Sequence, residues 1–151
     1  MKLILVALDG SPNARKVLRG ARELAERLDA RLILFHAVSL PVGLPAQAYA
    51  VAPAEVGPLM LETARRDLES YAGDLPPGLL ASVRLEFGAP WQAICETAKD
   101  ENVDLIVVGS HGYGGLDRLL GTTAAKVVNH ADRSVLVVRA LELLDELITK
   151  T

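Results

Sequence analysis

The sequence predicts an α/β protein: a doubly wound, five-stranded parallel sheet of order 3-2-1-4-5 with helices on both faces. Three observations carry this expectation. Short apolar runs recur at intervals, at 3–8, 31–38, 105–109 and 134–139. They are continuous rather than alternating, as strands covered on both faces are. Amphipathic helical segments separate them, and parallel neighbours joined by right-handed helical crossovers wind in this way.

The elements follow in order. "LILVAL" (3–8) reads as the first strand. In "NARKVLRGARELAERL" (13–28), Val17, Leu18, Ala21, Leu24, Ala25 and Leu28 share one helical face, with Ser11 before Pro12 as the expected helix start. "RLILFHAV" (31–38) is the second strand. Residues 39–58 carry four prolines, two glycines and one charged residue, Glu55, and read as a long loop able to cover a ligand or meet a partner. "PLMLETARRDLESYAG" (58–73) is helical and stops at Gly73. "LASVRLEFG" (80–88) alternates in part, as an edge strand does. "APWQAICETAKDEN" (89–102) is the third helix, "LIVVG" (105–109) the fourth strand, "TTAAKVVNHA" (122–131) the fourth helix and "SVLVVR" (134–139) the last strand.

Composition narrows the function. The 151 residues suit one domain, 1–139, followed by a tail, "ALELLDELITKT" (140–151). Leu141, Leu144 and Ile148 give that tail one apolar helical face, which would dock on its own domain, on a dimer mate or on an unknown partner. A net charge of −3 argues against a nucleic-acid-binding face. The N-terminal apolar run is too short for a signal peptide or a membrane span. A lone cysteine, Cys95, points to a reducing, cytoplasmic setting and to a packing role.

The chemistry concentrates where the winding reverses. Strands one and four lie side by side in the expected order, and ligands of such sheets bind beyond the carboxyl ends of the strands there. "DGSP" follows strand one and "GSHGYGG" follows strand four. Five of twelve glycines, Gly109, Gly112, Gly114, Gly115 and Gly121, fall in this second stretch and its continuation. They permit close approach to backbone N–H groups, and the helix start at Thr122 and Thr123 adds unpaired donors, so the expected ligand is a phosphate. A flexible loop without function is the competing reading. No lysine follows the glycines as a P-loop requires, and strand one lacks the G-x-G-x-x-G dinucleotide fingerprint.

These stretches resemble the universal stress protein family, whose nucleotide-binding members carry G-x2-G-x9-G-[ST] after strand four. Here Gly109 and Gly112 are followed by eight residues, Tyr113 to Leu120, and then Gly121-Thr122, so the spacer is one residue short. The resemblance extends over "ALDGS", "HAV" and "AAKVVNHADRSVLVVR". It implies a small ATP-binding regulatory or stress-response module, with Mg2+ accompanying the nucleotide. Asp9 and Ala7 would then lie near the ribose and adenine, and Ala37 would offer its backbone to the adenine edge. Val108 and Gly109 would flank the base and ribose, and Gly112, Gly121, Thr122 and Thr123 would hold the phosphates. It also implies a homodimer through the last strand, 134–139. The alternative is an interaction module of the same fold that binds no nucleotide and acts through its dimer. A true ATP-dependent enzyme would need a second pocket, which the 39–58 segment could roof.

Other residues weigh less. Turnover should be at most slow hydrolysis or self-phosphorylation at Ser110, Thr122 or Thr123, because no general base or P-loop lysine is evident. Arg118 and Lys126 are candidate phosphate contacts, and His111 a candidate donor. Adjacent Ser110 and His111 lack the G-x-S-x-G elbow of a nucleophile. His36 reads as a satisfied core or edge histidine and His130 as a helix-end residue. The three histidines are too scattered for a metal cluster. A phosphoacceptor receiver domain and a D-x-D phosphotransferase both fail, since strand one offers Asp9 alone and position 11 is Ser.

Overall fold

The computed structural model describes residues 2–39, 46–110 and 120–139, with backbone alone over 46–57. Gly112, His111, Arg118 and the 140–151 tail lie outside the described residues. The order is β1 (Lys2–Ala7), α1 (Ala14–Leu28), β2 (Ala30–Val38), α2 (Ala46–Gly73), β3 (Leu80–Phe87), α3 (Pro90–Asp100), β4 (Leu105–Gly109), α4 (Thr122–His130) and β5 (Val135–Val138). The strands form one parallel sheet, β3-β2-β1-β4-β5, as the sequence predicts.

Alternate side chains of each central strand feed two separate cores. Ile4, Val6, Leu32, Leu34 and Val107 pack beneath α1 and α2 with Val17, Leu18, Ala21, Leu68 and Tyr71. Leu5, Ile33, Phe35, Ile106 and Val108 face α3 and α4 with Ile94, Ala98, Ala124 and Val127. Both faces of the central strands are therefore dry, which is why their sequences read as unbroken apolar runs.

Two local expectations need correction. Residues 39–58 are not one long loop: α2 begins at Ala46, so Pro53 and Pro58 stand within a helix of 28 residues. The alanines at 46, 48, 50, 52 and 54 are strong helix formers, although each interior proline costs about 3 kcal/mol, so propensity alone does not account for the helix here. Ser11 does not cap α1 either. The cap position is Asn13, without a side-chain cap bond, and the Ser11 carbonyl accepts from Ala14 N–H at 3.1 Å.

The C-terminal half of α2 is fixed to α1. Arg15 pairs with Asp74, reaches Ser70 Oγ at 3.3 Å and stacks 5.2 Å from the Tyr71 ring centre. Leu68, fully buried, seats the same stretch on the sheet. This attachment sets where the preceding turns of α2 pass over the carboxyl end of the sheet.

Candidate functional site

β1 pairs with β4 through Ile4–Leu105, Leu5–Ile106 and Val6–Val107, so the turns that leave these strands stand side by side. Their connections then diverge, β1 toward α1 and β4 toward α4. Beyond the strand ends lies a cavity of about 770 Å3, within the range of small-molecule sites. Eight of the nine expected site residues line it: Ala7, Asp9, Ala37, Val108, Gly109, Gly121, Thr122 and Thr123. The ninth, Gly112, is outside the described residues.

The cavity has two chemically different ends. At one end α4 begins. Ala125 makes the first helical bond, to the Gly121 carbonyl at 3.0 Å, so the N–H groups of Thr122, Thr123 and Ala124 precede the ladder. Such donors and the helix dipole suit an anion. Gly121 differs from the expectation, because its own N–H already donates to the Ser110 carbonyl at 2.6 Å. Its part is to bring a bare Cα to the cavity wall and to close the base of the glycine loop.

At the other end stand Asp9, His36 and Asp67. Asp9 Oδ1 accepts the Ser11 N–H at 2.9 Å, a turn that orients the carboxylate. Gly10 between them has φ of 71°, which a side chain would strain, and a Cβ there would meet Asp67 Oδ2 at 3.5 Å. Among the described residues no lysine or arginine lines the cavity. Pro90, Ile94, Ala37 and Val108 supply apolar surface to the cavity.

The sequence reading missed part of this wall. Leu59, Met60, Thr63, Ala64 and Asp67 all line the cavity from α2, at the three-and-four spacing of one helical face. Thr63 and Asp67, four apart, are the polar signal that could have revealed it. His36 is not a satisfied core histidine: its Nδ1 is buried without a partner. Burial pushes the His36 pKa below its usual value, although the Asp9 and Asp67 carboxylates pull the other way. Ser11 Oγ, on a residue 4% exposed, is likewise buried and unpartnered at the cavity. Both atoms are enclosed in the wall, so they are unsatisfied polar atoms there rather than contacts open to the cavity.

Other candidates fall elsewhere. Lys126 does not reach the cavity; its Nζ lies 5.8 Å from the Trp91 ring centre, and His130 stacks on the same ring at 4.6 Å. Cys95 is half-buried against the α3–α4 core, where burial and the nearby Asp132 and Glu96 raise its pKa. Among the described residues no three His, Cys, Asp or Glu side chains could hold a metal ion. No helix among them is long and apolar enough to cross a membrane.

Comparison with known proteins agrees with the fold. A protein of Coxiella burnetii, "Universal stress protein A homolog 2", is 37% identical over 139 residues, covering 91% of this chain and 94% of its own. The solved structure of universal stress protein UspA from Lactobacillus plantarum superposes with a TM-score of 0.69 at 28% identity, covering 91% of this chain and 97% of the other. A universal stress protein solved in complex with cAMP has a TM-score of 0.57 at 26% identity, over 91% of this chain and 96% of its own. The Universal stress protein family itself matches residues 1–139, from β1 through β5, and the chain belongs to that family.

Proposed function

We propose that this universal stress protein binds ATP in the cavity between the β1 and β4 turns and serves as a cytoplasmic regulatory or stress-response module. The observation that carries the reading is the convergence at one cavity of the α4 N-terminus, an apolar middle and an acidic far end. Phosphates would meet the N–H groups of Thr122, Thr123 and Ala124 and the two threonine hydroxyls. The base would rest on Ala37, Val108 and Ile94, and Asp9 would accept from a hydroxyl. The relative solved with cAMP supports an adenine nucleotide as the ligand class.

Mg2+ fits only as a companion of the phosphates. The described residues supply no metal cage of their own, and Mg2+ is commonly held by one or two carboxylates plus substrate phosphates and water. The chain's own residues would bind and orient the nucleotide; among the described residues no lysine or arginine lines the cavity to support charge on a transferring phosphate, so the proposal includes at most slow turnover.

The proposal includes a homodimer through 134–139. β5 is a sheet edge, with Leu136 39% exposed, and an apolar edge strand offers its unpaired backbone to a second copy.

Calorimetric titration of ATP with Mg2+ into nucleotide-stripped protein tests the reading. Saturable binding that Gly121→Val abolishes supports it. No heat at millimolar ATP overturns it.

A further inference from the structure

The cavity favours an anion in one place and opposes it in another, and the strand order sets which. The unpaired N–H groups of Thr122, Thr123 and Ala124 stand beyond β4, where the bond from Gly121 to Ser110 holds the start of α4. The carboxylates stand beyond β1 and β2. Asp9 follows β1 directly, and Asp67 Oδ2 would lie 3.5 Å from a Cβ placed on Gly10, whose other near neighbour is His36 of β2. β2 and β4 flank β1, two strand spacings or about 10 Å apart. A nucleoside spans such a distance.

Little offsets the acidic end. Among the described residues no lysine or arginine lines the cavity, and burial holds His36 toward its neutral form. Asp9 has one oxygen engaged by the Ser11 N–H. The Asp67 side chain makes no hydrogen bond or ion pair among the described residues, and neither of its oxygens is enclosed in the wall. Its carboxylate is therefore reachable from the cavity it lines. Leu68, the next residue, is fully buried on the sheet and fixes this turn of α2. A carboxylate accepts hydrogen bonds and donates none. The part of a ligand seated against Asp67 must bring N–H or O–H groups, and a phosphate there would meet two like charges.

We propose, resting on the nucleotide reading above, that Asp67 determines specificity: its carboxylate accepts from the nucleoside part of the ligand and excludes nucleotides that carry a second phosphate on the ribose. The ligand class is thereby narrowed to nucleotides phosphorylated at the 5′ position alone, whose single anionic end reaches α4. Discrimination of this kind comes from repulsion of the wrong ligand as much as from attraction of the right one.

The test is calorimetric affinity at pH 7.5 for ATP with Mg2+, and for ATP bearing an added phosphate on the ribose 2′ or 3′ oxygen. It is made on the full chain and on Asp67→Asn and Asp67→Ala. Asparagine matches aspartate in size, so the first variant removes charge and leaves the space unchanged. Wild type should bind both added-phosphate forms about tenfold or more weakly than ATP. Asp67→Asn should shrink that gap about threefold or more, while its amide oxygen still accepts and keeps ATP affinity within about threefold. Asp67→Ala should weaken ATP binding about tenfold. If Asp67→Asn does not fold, the gap measured on Asp67→Ala decides. Wild-type affinity for the added-phosphate forms equal to that for ATP, or a gap unchanged in the variants, would overturn the role of Asp67 and leave nucleotide binding standing. No ATP binding by wild type would overturn both.

Discussion

The backbone N–H of Gly121 donates to the carbonyl of Ser110 at 2.6 Å, joining the residue after β4 to the residue before α4. The bond ties Ser110, at the end of β4, directly to the start of α4. Gly121 has φ of −59° and ψ of 159°, values that proline also adopts. Gly121→Pro therefore removes the donor without forcing the local dihedrals. It should cost about 1 kcal/mol of stability in chemical unfolding and weaken ATP binding, whereas Gly121→Ala keeps the bond and the stability. Equal stability of the two variants would show that the clamp contributes nothing.

Acid should destabilise the ligand-free protein through His36. Burial holds its folded-state pKa below the unfolded value, so the unfolded chain binds more protons as pH falls through 6.5 toward the folded pKa. Stability must then decline over that window and be fully present above it. Thermal melts from pH 7.5 to 5.0 should show a smaller acid loss for His36→Asn than for wild type. Parallel curves would contradict the burial effect.

The apolar seat of α2 should outweigh its polar clamp. Leu68 is fully buried between the helix and the sheet, and Leu68→Ala should cost about 3 kcal/mol. The Arg15–Asp74 pair is 59% and 57% exposed at its side chains, so Arg15→Ala should cost less than about 1 kcal/mol. Urea titrations of the two variants give the comparison, and the reverse order would show that the ion pair positions α2.

The β5 edge should set the oligomeric state. Leu136→Glu places a charge on the exposed edge strand and should convert a dimer into a monomer in sedimentation velocity. A monomeric wild type, or a variant that stays dimeric, would remove β5 from the assembly.

Much of this molecule was legible from residue pattern alone. The strands are buried on both faces, so "LILVAL", "RLILFHAV" and "LIVVG" stand out as unbroken apolar runs, and right-handed crossovers are compatible with the observed order without fixing it. The crevice at β1 and β4 followed from the reversal of winding. Local signals failed where tertiary contacts decide. Pro53 and Pro58 read as loop, yet α2 runs through both. The α2 wall and Asp67 were missed for another reason: they lie in a stretch correctly read as helix, but the crevice was built from strand ends and turns alone. His36 looked like a core residue because its neighbours are apolar. Only the position of its ring beneath Gly10, at the mouth of β2, shows that it faces the cavity. Lys126 was one helical turn from Thr122 in sequence, but its side chain runs to Trp91 on α3 instead.

The central claim is that backbone N–H groups at the start of α4 receive the phosphates of a nucleotide. The most direct measurement is amide mapping by heteronuclear NMR during titration with ATP and Mg2+, compared with adenosine alone. The account predicts that ATP shifts the amides of Thr122, Thr123 and Ala124 strongly and adenosine shifts them little, while both move resonances at Ala37 and Val108. Unmoved α4 amides at saturating ATP, or shifts confined to the β5 edge, would contradict it.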